Sequence, residues 1–117
     1  MRETSDFFEE GIRLFNAERY FECHEALEHV WKRAEGAEKL FCQGLIQSAV
    51  ALLHAERGNL RGAYLIYAKA RAKLEQFPAI YLGIALADLL GALQLFFAGL
   101  KSDSQLPKRP RIGRAAG

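Results

Sequence analysis

The segment Tyr20 to Trp31, YFECHEALEHVW, carries an imidazole and two carboxylates, His24, Glu25 and Glu28, at helical spacing. At 100° per residue, Tyr20, Cys23, Leu27, Val30 and Trp31 form one apolar stripe. His24 lies inside its edge, Glu28 beside it and Glu25 farther toward solvent. His24 and Glu28 stand four apart and therefore meet on one face, as a pair that can hold a ligand, coordinate a metal or satisfy itself. A second polar set lies in Cys42 to Ala55, CQGLIQSAVALLHA, which contains no acid, lysine or arginine. Such a helix belongs at the centre of a fold, yet Gln43, Gln47 and His54 fall within about 40° of one another on it. An antiparallel arrangement of the two helices would offer His24 and Glu28 to Gln47 and His54, giving a semi-buried cluster of two imidazoles, a carboxylate and an amide.

Two chemistries suit that cluster. In the first, His24, Glu28 and His54 hold zinc or a similar divalent metal, and Glu25 acts as general base on bound water in a metal-dependent hydrolase. In the second, which the sequence favours, nothing is catalysed. Glu28 orients His24, the glutamines satisfy packing partners, and a pocket of His24, Glu25, Glu28, Trp31, Gln43, Gln47 and His54 receives a protein segment or small ligand.

Sharper catalytic patterns are excluded. His24-Glu25-x-x-Glu28 lacks the second imidazole of a zinc-protease helix, and His29 sits about 140° from His24. No Glu-x-x-His pairs occur on two helices, as a di-iron bundle needs. Cys23 and His24 are helical neighbours pointing about 100° apart, so they make no nucleophile and base, and Cys23 is assigned to the core. Trp31 walls a pocket or packs; Tyr64 and Tyr67 fit core and groove alike. No glycine-rich phosphate loop follows a strand, because Gly58-Asn59 reads as a helix stop and start.

The elements that must position these residues are all helical, since no segment alternates with the period of a strand. Asp6 followed by Glu9 resembles a capping box opening a first helix, with Phe8, Gly11, Ile12 and Phe15 on one face. After a turn at Asn16 to Arg19, a second helix runs from Tyr20 to about Ala34, and a third from about Glu38 to Arg57. Asn59 opens a fourth, which ends by Pro78. A loop at Ala79 to Gly83 precedes a fifth helix, Leu86 to about Leu100. Glu18-x-Tyr20-x-x-Cys23 and Gly58-x-Leu60-x-x-Ala63 occupy turns 40 residues apart, a faint repeat suggesting two tetratricopeptide-like hairpins and a closing helix.

With 117 residues, half of them hydrophobic, the chain forms one domain able to bury a core without disulfides. The expected division is a helical domain over 1–101 and a basic, disordered tail over 102–117; residues 101–117 hold five basic residues and one acid. Such a tail more often aids solubility than binds nucleic acid, so nucleic acid is not an expected partner. Cys23 and Cys42 fall in apolar helical patterns, and the N-terminus lacks a basic and apolar run like a secretory signal. Free thiols in a reducing cytosol are expected. The weakly charged stretch Phe77 to Leu100 is no membrane span: Pro78 and Gly83 break it, and Asp88 would cost about 2.5 to 3.5 kcal/mol in a bilayer. Two hairpins are few for a repeat array, so an apolar face at Phe96 or Phe97 is a candidate homodimer contact.

Phe8-x-x-Gly11, Leu14-Phe15-Asn16, Tyr20-Phe21-Glu22-x-His24-Glu25-x-Leu27-Glu28-x-x-Trp31, Gln43-Gly44-Leu45-Ile46-Gln47, His54 and Gly58-Asn59-x-x-Gly62-Ala63 resemble the small helical proteins of the domain of unknown function 309 family. The resemblance covers about residues 7 to 77. It implies an all-helical bundle of tetratricopeptide-like hairpins with no established activity. The chain departs from that family's pattern at Cys23, where alanine is common, and at Glu18, where glycine is common.

Overall fold

A computed structural model of the chain describes residues 3–100 and 106–115. Five helices and one small hairpin follow in order: α1 (Thr4–Asn16), α2 (Tyr20–Arg33), α3 (Gly36–Glu56), α4 (Leu60–Leu74), β1 (Ile80–Tyr81), β2 (Ile84–Ala85) and α5 (Leu86–Gly99). The fold is the all-helical bundle the periodicity predicts. α1 packs on α2, α2 on α3 and α3 on α4, so each short connection reverses the chain onto its neighbour. α5 closes the open side of α4: the Tyr64 hydroxyl donates to the Phe97 carbonyl at 2.8 Å, and the Tyr67 and Phe97 rings stack at 4.3 Å. Among the described residues no helix is long and apolar enough to cross a membrane.

The α1–α2 and α3–α4 turns match bond for bond at the predicted interval of 40 residues. Arg19 N donates to Leu14 O and Asn59 N to His54 O, each at 2.9 Å, while Glu18 N donates to Phe15 O and Gly58 N to Ala55 O. These are the paired bonds that close a helix on a left-handed residue. Glu18 has φ +62° and Gly58 φ +79°, so the position that glycine fills in the second turn is filled by a strained glutamate in the first. The next residues also differ. Asn59 Oδ1 accepts from Gly62 N at 3.1 Å, whereas Arg19 provides no side-chain cap to α2.

Three sequence expectations need correction. The first helix opens at Thr4, because the Asp6 carboxylate reaches back to the Glu3 backbone N–H at 3.2 Å; Asp6 serves as the third residue of the box and not as its cap. The loop at 79–83 is a two-residue hairpin, with Tyr81 opposite Ile84 and Ile80 opposite Ala85. Phe96 and Phe97 are 1% and 2% exposed inside the core, so neither is available as a dimer contact.

The tail is corrected as well for residues 106–115; residues 102–105 and 116–117 lie outside the described residues. The segment returns along the hairpin, where Ala85 N donates to Gly113 O and Ala115 N to Gly83 O. Asn16 clamps Ile112 through both amide atoms, donating to its carbonyl at 2.9 Å and accepting from its N–H at 2.7 Å. Ile112 is buried, Arg114 pairs with Glu9, and Arg109 lies 3.8 Å from Glu18 and 3.7 Å from Glu56. Composition points to disorder here because it does not register one apolar side chain and a ladder of backbone bonds supplied from distant parts of the chain.

Two stability measurements follow. Replacing Glu18 with glycine removes the left-handed strain and raises unfolding free energy by about 0.5–1 kcal/mol in a denaturant titration. Asn16→Ala leaves the backbone groups of Ile112 without their partners, so the same titration should show a loss of about 1–3 kcal/mol.

Candidate functional site

The seam between α2 and α3 is set by two contacts. The Cys42 thiol donates to the Leu27 carbonyl at 3.3 Å, and Lys39 Nζ lies 4.2 Å from the centre of the Trp31 ring. In an antiparallel pair this register aligns two rows: Trp31, Glu28 and His24 along α2, beside Lys39, Gln43 and Gln47 along α3. Below them Cys23, Leu27, Cys42, Leu45 and Ala49 fill the core.

The rows are half-buried. His24 Nε2 and Glu28 Oε2 stand 3.6 Å apart with side chains 36% and 45% exposed. That separation exceeds a hydrogen bond, so Glu28 does not orient the imidazole as a buried network would require. At the far end of the row Phe21, half exposed, presents its ring edge-on to His24 at a centroid distance of 6.5 Å. Two polar atoms are buried along the seam with no hydrogen-bond partner among the described residues: Trp31 Nε1 and Gln47 Oε1. Each is shut off from bulk solvent with no replacement partner among the described residues.

The structure does not bring together the other predicted site residues. With Cys42 level with Leu27, His24 is level with Leu45, and His54 lies about 13 Å farther along the axis, beyond the start of α2. Its Nδ1 is 3.2 Å from the amide nitrogen of Asn59, so His54 supports the α3–α4 turn. Glu25 faces away from the seam. It lines a cleft of about 470 Å³ between α1 and α2, beside Arg13, Arg19 and His29, whose ring stacks on Phe7 at 4.2 Å. Among the described residues no three His, Cys, Asp or Glu side chains are grouped to hold a metal ion. The expected set of His24, Glu28 and His54, with Glu25 as base, is therefore not assembled. Sharing a helical face fixed the angles of Gln43, Gln47 and His54 but not their heights.

A polar cluster with no counterpart in the sequence pattern lies at the turns. Tyr20 is 1% exposed with its hydroxyl unpartnered among the described residues, and burial, with Glu18 and Glu56 nearby, pushes its phenol above the ordinary range. Burial also pushes the Glu56 carboxyl up, while Arg109 pulls the other way. Arg109 thus joins the two repeated turns from a segment whose local composition carries no sign of folding.

Residues 8–66 match a family described as "Domain of unknown function (DUF309)". The chain is 47% identical over 58 residues, 48% of its length, to a protein of Bacillus subtilis (strain 168) named "Uncharacterized protein YpuF". That stretch is 33% of the relative, so the chain spans about a third of the curated protein it matches.

Both cysteines are buried and free. Burial pushes each thiol up to about 12, so both stay protonated and poorly nucleophilic near neutrality. Iodoacetamide at pH 8 should leave Cys23 and Cys42 unmodified in the native protein and alkylate both after unfolding, as read by mass spectrometry.

Proposed function

Since the chain belongs to the DUF309 family, we propose that it is a non-catalytic binding module whose contact surface is the α2/α3 seam, with a protein segment as the partner. The observation that supports this most is the pair of buried, unpartnered atoms, Trp31 Nε1 and Gln47 Oε1, in a row of half-buried polar side chains. One donor and one acceptor left without partners suit an extended peptide, whose backbone offers both in alternation and reaches them as the half-buried side chains of the seam part. Phe21 supplies an exposed aromatic anchor beside His24, and Gln43 lies between the two unpartnered groups in the row. The match over residues 8–66 includes the whole seam, which supports reading the function there. The two free thiols support residence in the reducing cytosol.

The half-buried His24–Glu28 pair separates this reading from a structural one. As a surface pair it contributes less than about 1 kcal/mol to the fold. Panning a peptide-display library against the full chain and a His24→Ala, Trp31→Phe double variant tests the seam. Peptides are expected that bind the wild type at least about tenfold more tightly than the variant, with little difference between the two in thermal stability. Enriched peptides indifferent to both substitutions would sink the proposal.

A further inference from the structure

A separate cleft of about 420 Å³ opens where the first turns of α1 and α3 meet the end of α2 and the tip of the β1–β2 hairpin. Phe8, Val30, Phe41 and Leu82 give it an apolar lining, and Arg33 and Glu38 stand among its polar groups. Its size and composition are those of a small-molecule site.

Leu82 is the unusual part. A two-residue hairpin turn with both central residues at positive φ is ordinarily made from asparagine, aspartate or glycine. Here Gly83, at φ +74°, fits the rule, while Leu82 holds φ +50° with a leucine side chain that is 48% exposed. It is no member of the core cluster. Left-handed strain and apolar exposure thus coincide at one residue, with no core packing to offset them, and that residue lines the cleft.

The charges narrow what would fit. A third charged residue of the cleft, Glu9, is taken by Arg114. Arg33 makes only a 3.4 Å bond to the His29 carbonyl, and neither it nor Glu38 has an oppositely charged partner among the described residues. A free cation and a free anion therefore border an apolar lining. A monocarboxylate would pair with Arg33 but face Glu38; an amine would do the reverse. An α-amino acid carries both charges on one carbon and its apolar side chain on the same atom.

We propose that this cleft binds a free α-amino acid with a large apolar side chain, its carboxylate on Arg33, its ammonium on Glu38 and its side chain between Phe8, Phe41 and Leu82. The site lies at the C-terminal end of α2 and shares no lining residue with the rows of the seam.

The test is titration of the ¹⁵N-labelled full chain with L-phenylalanine and L-leucine, followed by amide chemical shifts. Saturable shifts are expected at Val30, Arg33, Glu38 and Leu82. Phenylacetate and phenethylamine, each lacking one charge, should bind at least about tenfold more weakly than L-phenylalanine, and Arg33→Gln and Glu38→Gln should weaken it by a similar factor. Leu82→Asn should melt at a higher temperature than the wild type yet bind more weakly, a combination that damage to the fold cannot produce. Absence of saturable shifts with both amino acids at millimolar concentration overturns the proposal. So does phenylacetate or phenethylamine binding as tightly as L-phenylalanine.

Discussion

Close approach of the paired helices within each hairpin, α1 on α2 and α3 on α4, is the constraint on which the rest depends. A Cβ placed on Gly44 would lie 2.6 Å from Cδ2 of Leu74, and one on Gly11 would lie 2.5 Å from Cδ2 of Leu27. Both leucines are fully buried, so neither can move aside at low cost, and an added methyl group there would be an overpacking error of about 1–3 kcal/mol. Ser48, Ala49, Ala51 and Ala55 continue the run of small side chains along α3, and the Ser48 hydroxyl satisfies itself on the Gly44 carbonyl at 2.9 Å. With α2 on one side and α4 on the other, little of α3 reaches solvent. What does includes the row of Lys39, Gln43 and Gln47 that borders the seam.

Helix order and pairing were legible in the sequence because they follow from local rules. Asn59 caps, Gly58 and Pro78 interrupt, and the apolar periods of Tyr20 to Val30 and Leu86 to Leu100 point inward as they should. The turn repeat was legible from only three spaced positions, and it extends to matching backbone bonds despite glutamate replacing glycine. The failures have a common cause: each needed information about height or distance that periodicity does not carry. His54 shares an angle with Gln47 but lies past the start of α2. Leu82 breaks the turn rule that would have announced the hairpin, and Ile112 is bracketed by a residue at the opposite end of the chain.

That bracketing changes what the C-terminal segment contributes. Its ion pairs are partly exposed, and such pairs supply about 0–1 kcal/mol each. Burial of Ile112, worth about 1.5–3 kcal/mol, and the bonds from Asn16 hold the segment more strongly than its charges do. The charges instead fix position: Arg109 reaches Glu18 in one repeated turn and Glu56 at the edge of the other, so the two hairpins are tied at the same end. Because Asn16, Glu18 and Glu56 all border these turns, the segment closes over the same end of both hairpins.

The seam runs along α2 from His24 to Trp31, the cleft opens at the C-terminal end of that helix, and each has a local cost to the fold. A buried polar atom without a partner costs about 1–3 kcal/mol, and Trp31 Nε1 and Gln47 Oε1 incur that cost while the neighbouring His24–Glu28 pair returns little. In the cleft, Leu82 combines backbone strain with an exposed apolar side chain. At Leu82 no core packing offsets the cost, whereas Trp31 packs its ring against the core and under Lys39. The seam falls within the family match over residues 8–66, whereas Leu82 lies outside it. A binding surface in the matched segment and a small-molecule cleft completed by the hairpin would then be separable by substitution, since they use different side chains of α2.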